Sequence, residues 1–277
     1  MDWLDALLLG AVEGVTEFLP VSSTGHLTIL ENLLGYDIDD PDITAFTAII
    51  QIGAVLATIL YLRGDIWRIG TAWLRGVASA EQRGPDYRFG WAVILGSLPI
   101  GVLALLFKDE IETTLRSLWV VATALILWSG VMWFADSRAT QERHEDDVTW
   151  RDTLVIGLVQ SLALIPGISR SGATMSAGLL RGIDRVTVTR LSFFLSIPAL
   201  SAATVQQSVT RYDEISTGVG WGPTLLAMAV SFVVAYATVD WLLKFIARHT
   251  YTVFIVYRVV LGTVVLLLVG TGTISAT

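Results

Sequence analysis

Two short stretches of this chain collect side chains that could bind and transform a phosphate. The first, at 13–26, reads EGVTEFLPVSSTGH, and the second, at 166–174, reads PGISRSGAT. Both lie between apolar runs of a chain whose 277 residues are 53% hydrophobic, with a mean hydropathy of +0.65. Because ionisable side chains are costly at membrane depth, their presence between such runs indicates a functional site.

The first stretch places two carboxylates just before a residue that breaks a helix. Glu13 and Glu17 are four residues apart and therefore share one helix face. Pro20 interrupts this helix, because its ring clashes with the preceding turn and it donates no backbone hydrogen bond. A second helix can start at once, since Ser22 or Ser23 is a suitable N-cap. The stretch predicts helix, break and helix, which a membrane tolerates only where protein buries the break or water fills a cavity.

The second stretch has the composition of an anion site. Ser169 can cap the helix that follows, whose free amide groups and dipole favour an anion. Arg170 adds a permanently charged, forked donor suited to phosphate, while Ser171 and Thr174 add hydroxyl groups. Close helix packing explains the small residues equally well, but it does not explain the arginine. Arg170 therefore predicts either a bound anion or an internal ion pair with one of the two glutamates.

Together, these side chains predict phosphoryl transfer. Ser23 is the favoured nucleophile, and His26, three residues later on the same side of the second helix, is its expected proton acceptor. Direct attack by water, activated by His26 or by a glutamate, is the alternative. Glu13 and Glu17 can orient His26, or they can bind Mg²⁺ or Ca²⁺ through carboxylate oxygens. No organic cofactor is expected.

Eight apolar regions must position these residues. Six of them approach the roughly 20 residues that a helix needs to cross a bilayer. They are 46–62, 89–107, 117–135, 191–207, 222–243 and 251–270. The other two, 3–34 and 154–180, are interrupted near Pro20 and Pro166, and we expect each to enter the membrane and return. The predicted fold is an all-α integral membrane protein with six transmembrane helices and two re-entrant helical hairpins.

The order of these regions indicates an internal repeat, a hairpin followed by three spans, twice. Glu13 precedes Ser22 by nine residues, and Gln160 precedes Ser169 by nine residues. Three spans per unit is an odd number, so the second unit would be inverted, and the two hairpin tips would meet near mid-membrane. The predicted units are 1–135 and 153–270, within a single membrane domain 1–277.

Arginines orient the chain through the positive-inside rule. The segment 63–88 holds five of them, whereas 35–45 has neither lysine nor arginine. We therefore expect 63–88 in the cytoplasm, and outside loops that carry Lys108, Arg116 and Arg211. The chain would be a multi-pass plasma-membrane protein with its site open to the outer face.

Composition excludes several other classes of protein. There is no cysteine, so neither a disulfide framework nor a thiolate metal site can form. The net charge of −7 and a pI of about 4.9 argue against nucleic-acid binding. An oligomer is compatible with the sequence.

The two stretches resemble the signature motifs of the undecaprenyl-diphosphate phosphatase family, also called bacitracin-resistance proteins. FTAIIQIGAVLA at 46–57 and YRVVLG at 257–262 also fit this family. The resemblance implies removal of the terminal phosphate from a long polyprenyl diphosphate lipid, which yields the monophosphate carrier for envelope glycans. The implied catalytic residues are Glu13, Glu17, Ser23, His26 and Arg170. Candidate substrate-binding residues are Ser22, Thr24, Gln51, Gln160, Ser169, Ser171 and Thr174.

The main alternative is a transporter or flippase for polyprenyl phosphate, since broken helices in inverted repeats are typical of transporters. A transporter needs anion donors but no serine and histidine pair, so the sequence favours an enzyme. A second type of membrane lipid phosphatase has an S-R-x5-H signature. Met175 or Ser176 stands where its histidine would be, so that type does not fit.

Overall fold

The computed structural model describes residues 1–107 and 117–276, and these fold almost entirely into helices. The main helices are α1 (Trp3–Thr16), α2 (Ser23–Leu33), α3 (Pro41–Tyr61), α4 (Arg63–Ala78), α5 (Pro85–Leu106), α6 (Leu118–Arg138), α7 (Trp150–Gln160), α8 (Arg170–Leu180), α9 (Arg185–Thr210), α10 (Trp221–Ile246) and α11 (Thr252–Gly270). Short helical turns cover Ala80–Gln82, Glu145–Asp147, Ser161–Leu164, Tyr212–Glu214 and Ile215–Val219. Within the described ranges, an isolated bridge between Arg143 and Ile183 is the only extended pairing.

Six helices of the described part are long and apolar enough to cross a membrane: α3, α5, α6, α9, α10 and α11. They coincide with the six apolar runs, so the predicted all-α multi-pass membrane fold is confirmed. Several begin earlier than the apolar run, because a polar cap extends the helix. Asp40 caps α3 with Pro41 at its first position, and Asp184 caps α9. The outer-loop residues Lys108 and Arg116 lie outside the described residues.

The two interrupted regions form pairs of short helices, α1 with α2 and α7 with α8. The longest, α1, has 14 residues and a length of about 21 Å, too short to cross a hydrocarbon core of about 30 Å. The non-helical breaks cover 17–22 and 165–169. The second pair begins earlier than predicted, at Trp150, because Thr149 and Asp152 form a capping box there. Their re-entrant path through a membrane remains a prediction.

Each helix pair packs against the other half of the chain. Helix α1 contacts α10, and α7 contacts α5. Both contacts depend on a glycine at an equivalent place in the two halves. A Cβ on Gly10 would lie 2.5 Å from the Ala227 carbonyl oxygen, and one on Gly157 would lie 2.0 Å from the Gly96 carbonyl oxygen. In an inverted repeat, the hairpin of each half packs against a span of the other half, as these contacts do. The repeat itself stays a prediction.

The arginine-rich segment 63–88 is largely helical rather than the loop that its composition suggests. Helix α4 runs from Arg63 to Ala78 and packs on α5, where Gly76 lies against the Tyr87 ring. Its other face exposes Trp67 and Leu74, whose exposed fractions are 76% and 62%. A short helix that carries several arginines and has one exposed apolar face is typical of a membrane interface.

A buried carboxylate closes the base of the second hairpin. Asp152, in the first turn of α7, accepts hydrogen bonds from Arg143 Nη2 at 2.6 Å and from Arg181 Nε at 2.8 Å. The hydroxyl of Thr149 donates to the same side chain at 2.7 Å. Burial alone would raise the pKa of Asp152, but these hydrogen bonds outweigh it and hold the pKa below the usual carboxyl range. Since Arg181 directly follows α8, this carboxylate joins the two ends of the hairpin.

The base of the first hairpin is closed in a similar way. Tyr36, shortly after α2, donates to Asp5 Oδ2 at 2.5 Å, and Asp5 lies in the first turn of α1. Asp5 precedes Glu13 by eight residues, as Asp152 precedes Gln160. Each hairpin therefore has one acidic residue that fixes the separation of its two arms.

Replacing Asp152 by asparagine should lower the free energy of unfolding at neutral pH, because two arginines lose a buried charged partner. The expected loss is on the order of 1–3 kcal/mol. Because the pKa of the folded state is lowered, the stabilisation is fully present above about pH 4 and is lost as the pH falls toward the lowered value. The melting temperatures of the detergent-solubilised wild type and Asp152→Asn should therefore converge below about pH 4.

The matched control is Asp146→Asn, which removes an exposed carboxylate from the short helical turn that precedes α7. We expect it to leave the melting temperature unchanged. An equal effect of the two substitutions, or a difference that does not depend on pH, would contradict the role given to Asp152.

Candidate active site

The two breaks are in direct hydrogen-bond contact, as the sequence predicts. The Gly167 amide donates to Ser22 Oγ at 3.2 Å, and Ser171 Oγ donates to the Leu19 carbonyl oxygen at 2.8 Å. Both serines are buried. The contact brings the first turns of α2 and α8 together, so the positive ends of two helix dipoles meet at this place.

The second arm of each hairpin begins with the same unusual backbone. Ser22 and Ser169 both have φ of +76°, a region that residues other than glycine rarely occupy. Each Oγ accepts the amide hydrogen of the residue three positions later, Gly25 at 3.3 Å and Gly172 at 3.1 Å. The N-cap of α2 is therefore Ser22, which makes Ser23 the first helical residue. Such strained positions cluster at functional sites.

Glu17 connects the hydroxyl of one hairpin with the guanidinium of the other. Ser23 Oγ donates a hydrogen bond to Glu17 Oε2, and Arg170 Nη2 donates to Glu17 Oε1 at 2.9 Å. The exposed fractions of the Glu17 and Arg170 side chains are only 5% and 11%. The internal ion pair that the sequence left open is therefore present. It uses one nitrogen of Arg170, whereas Nε and Nη1 are buried without a hydrogen-bond partner among the described residues.

Glu13 is the second acidic group of this site. Its side chain is fully buried, and neither carboxylate oxygen has a hydrogen-bond partner within the described part of the chain. Glu13 lies against Glu17, with which its carboxyl group can share a hydrogen bond when one of the two is protonated, and it interacts electrostatically with Arg170. An ionised, buried carboxylate that receives no hydrogen bond from a protein donor is costly, and its two oxygens suit a hard cation. The described residues contain no group of three or more His, Cys, Asp or Glu that could hold a metal.

His26 does not accept a hydrogen bond from Ser23, although the spacing suggests it. His26 Nδ1 lies 2.7 Å from the Ser22 carbonyl oxygen, and Nε2 lies 2.7 Å from Tyr257 Oη. Both ring nitrogens are thus engaged, and Glu17 accepts the hydrogen bond from Ser23. The cause is the N-cap at Ser22, whose carbonyl group attracts the imidazole four residues later.

The remaining candidates mostly shape the two tips. Ser169 Oγ and Ser171 Oγ are 3.0 Å apart, and Thr174 Oγ1 donates to the Arg170 carbonyl oxygen within its own helix. Three predicted residues have no hydrogen bond to this network among the residues described: Thr24, Gln51 and Gln160. Of these, Gln160 is fully buried and Thr24 is exposed.

Arg258 is a site residue that the sequence analysis missed. It is fully buried in α11, and its guanidinium donates to one carbonyl oxygen of each break, Pro20 at 3.3 Å and Gly167 at 2.9 Å. It also donates to Ser129 Oγ at 3.1 Å and to the Leu125 carbonyl oxygen at 3.3 Å. A lone arginine inside an apolar helix was the signal that could have revealed it.

Replacing Arg258 by lysine should lower both stability and activity, because an ammonium group cannot reach four separated acceptors. Each buried carbonyl that loses its donor costs on the order of 1–3 kcal/mol, so we expect a clear fall in melting temperature. Arg248→Lys, at an exposed arginine, is the control. A normal melting temperature for Arg258→Lys would mean that the tips hold together without this side chain.

Comparison with known proteins shows the family of this chain. The model of the family described as bacitracin resistance protein BacA matches residues 6–264. A protein named undecaprenyl-diphosphatase 3 from Frankia casuarinae is 70% identical over 278 residues, with both chains covered completely. The undecaprenyl-diphosphatase of Cutibacterium acnes is 56% identical over 284 residues, again with complete coverage of both chains. Undecaprenyl-diphosphatase 1 from Streptomyces avermitilis is 51% identical over 272 residues, which cover 98% of this chain and 97% of that protein. The matches include both hairpins and all six spans, and the chain therefore belongs to the bacitracin resistance protein BacA family.

Proposed function

We propose that this membrane protein hydrolyses a long-chain polyprenyl diphosphate of the undecaprenyl type to the monophosphate and inorganic phosphate. The reaction would recycle the lipid carrier for envelope glycan synthesis. The observation that carries the proposal is the arrangement of Ser23, Glu17 and Arg170, in which a hydroxyl, a base and a cation with unused donors meet. The family and the names of the relatives point to the same activity.

Ser23 is placed to attack the terminal phosphorus of the substrate. Its hydroxyl already donates to Glu17, so this carboxylate can take the proton as the new P–O bond forms. The bond from the terminal phosphorus to the bridging oxygen breaks, and the polyprenyl monophosphate leaves with that oxygen. Water then hydrolyses the phosphoserine to inorganic phosphate and restores Ser23. Direct attack by water, with Glu17 as base, gives the same products.

Arg170 would stabilise the charge that develops during this transfer. Nη2 holds Glu17, while the buried Nε and Nη1 are available to phosphate oxygens. The N-termini of α2 and α8 add their dipoles at the same place. The hydroxyls of Ser22, Ser169 and Ser171 are committed to the tips, so we assign them to positioning.

Glu13 would hold a divalent cation, Mg²⁺ or Ca²⁺. When ionised, Glu13, Glu17 and Arg170 carry a net charge of −1, which would repel a diphosphate. A cation on the two unpaired oxygens of Glu13 would reverse this balance. Its chemistry would be neutralisation of phosphate charge.

We place the site in the plasma membrane with its opening on the outer face. The support is the distribution of arginine, since the α4 segment is rich in it and 35–45 has none. Both chain ends would then lie outside, and the two hairpins would enter from opposite sides. The exchange of contacts between α1, α10, α7 and α5 supports the inverted arrangement.

The activity prediction concerns three substitutions, Ser23→Ala, Glu17→Gln and Arg170→Lys. Each should lower phosphate release from a purified polyprenyl diphosphate by about 100-fold or more, because the three changes remove the nucleophile, the base and the forked donor of the proposed transfer. Ser208→Ala is the matched control, since its hydroxyl only bonds to the Thr204 carbonyl of its own helix. Melting temperatures would show that the variants are folded.

Two results would overturn the proposal. Background phosphate release by the folded wild type, together with movement of labelled lipid across vesicles, would favour a transporter. Normal turnover in Arg170→Lys would mean that the arginine is only an ion-pair partner.

Acid quenching with substrate labelled at the terminal phosphate should trap phosphoserine at Ser23. Its absence under single-turnover conditions would favour direct attack by water.

The topology prediction uses single cysteines in this cysteine-free chain, at Ala78, the last residue of α4, and at Ser216. Both positions are exposed. A membrane-impermeant maleimide added to intact cells should label the cysteine at position 216 and not the one at position 78. Labelling of both in permeabilised cells is the control. The reverse pattern would place the opening of the site on the cytoplasmic side.

A further inference from the structure

We propose that Tyr257 is a positioning residue for His26, and that its hydroxyl holds the imidazole in place whether or not the ring carries a proton. This inference rests on the proposed phosphatase function and adds to it a role for His26, the uptake and release of a proton during turnover, beside the transfer from Ser23 to Glu17. Tyr257 lies in α11, 231 residues away in the chain, and no local sequence pattern connects the two residues.

The contacts of His26 define its tautomer. Nδ1 lies 2.7 Å from the Ser22 carbonyl oxygen, and a carbonyl oxygen can only accept, so Nδ1 carries the hydrogen. In the neutral ring Nε2 is then the acceptor, and the group 2.7 Å from it is Tyr257 Oη. The phenol O–H therefore donates to Nε2. The ring is held at both nitrogens, with its basic nitrogen directed away from Ser23.

A phenol suits this place because it both donates and accepts hydrogen bonds. When Nε2 gains a proton it becomes a donor, and the same Oη can accept from it after its own hydrogen rotates away. The bond from Nδ1 to the Ser22 carbonyl oxygen is unchanged in that state. His26 can thus alternate between neutral and charged forms without moving, and phenylalanine could not provide this.

The helix that carries Tyr257 and the residue that holds His26 are both fixed by hydrogen bonds to the breaks. Arg258, the next residue of α11, is bound to carbonyl oxygens of both breaks, so α11 has a fixed position relative to the tips. Ser22 is itself bonded to the Gly167 amide. The exposed fraction of Tyr257 is 46%, so the phenol lies at the edge of the helix bundle.

If Tyr257 acted on His26 through ring packing alone, loss of its hydroxyl would have no effect. The rings of His26 and Tyr257 are nearly parallel, with an interplanar angle of 10° and centroids 5.5 Å apart. Tyr257→Phe keeps the ring and removes only the hydroxyl. The substitution therefore separates packing from hydrogen bonding at this contact.

The first measurement is the kinetics of Tyr257→Phe with a polyprenyl diphosphate. We expect kcat to fall by at least about tenfold and KM to change little, because the hydroxyl acts on His26 rather than on substrate binding. The melting temperature should stay close to that of the wild type. Tyr236→Phe, at a tyrosine of α10 whose ring packs on Tyr61, is the matched control and should keep wild-type kinetics.

The second measurement reads His26 directly and does not need activity. The chain has three histidines, so the double substitution His144→Gln, His249→Gln leaves a single imidazole for ¹⁵N labelling. Both removed histidines are exposed. We expect a protonated Nδ1 and a hydrogen-bonded Nε2 in this background. Adding Tyr257→Phe should leave the Nδ1 signal in place and shift the Nε2 signal to that of a free acceptor.

The two measurements together decide the question. Unchanged kcat in Tyr257→Phe, or a loss of kcat with an unchanged Nε2 signal, would overturn the inference, the latter by indicating contact with the substrate. If the wild type released no phosphate, the proposed function would fail. The Nε2 signal would still report whether Tyr257 holds the ring, so the two failures can be told apart.

Discussion

The site depends on one constraint, the burial of two backbone breaks inside an apolar bundle, where their polar groups must find partners in the protein. Each hairpin supplies some of these partners to the other. The Gly167 amide bonds to Ser22, and Ser171 bonds to the Leu19 carbonyl oxygen. Arg258 binds one further carbonyl group of each break, because its rigid fork reaches several acceptors at once. The reactive groups thus lie where packing already requires polar side chains.

The two breaks share their geometry but differ in their chemistry. Ser22 and Ser169 have the same φ and cap the following helices in the same manner. The next residue in each case bonds to Glu17, Ser23 to one carboxylate oxygen and Arg170 to the other. Equivalent backbone positions therefore bring a hydroxyl and a guanidinium to one carboxylate. A repeated frame with different side chains explains how a nearly symmetric arrangement can hold an asymmetric active site.

The sequence predicts the helices and breaks better than it predicts which side chains form hydrogen bonds with each other. Apolar length and two prolines were enough for the six spans and both breaks, since these follow from bilayer thickness and backbone chemistry. The pairing of Ser23 with His26 was expected from spacing, but the Ser22 carbonyl oxygen holds the imidazole instead. Tyr257 is too distant in the chain for any local pattern to reveal. Arg258 binds mainly backbone carbonyl groups, which have no sequence signature.

Two side chains of the site have buried polar atoms for which the described part of the protein provides no hydrogen-bond partner. Glu13 has two buried oxygens, and Arg170 two buried nitrogens, without hydrogen-bond partners in the described ranges. A phosphate would satisfy the arginine, and the proposed cation would satisfy the glutamate, so the two ligands would complete different parts of one site. Each would also make the local field more favourable for the other. A phosphate alone would add to the net charge of −1, and the cation would find a stronger field once the phosphate is bound. The two should therefore bind cooperatively, by a coupling free energy that is equal in both directions.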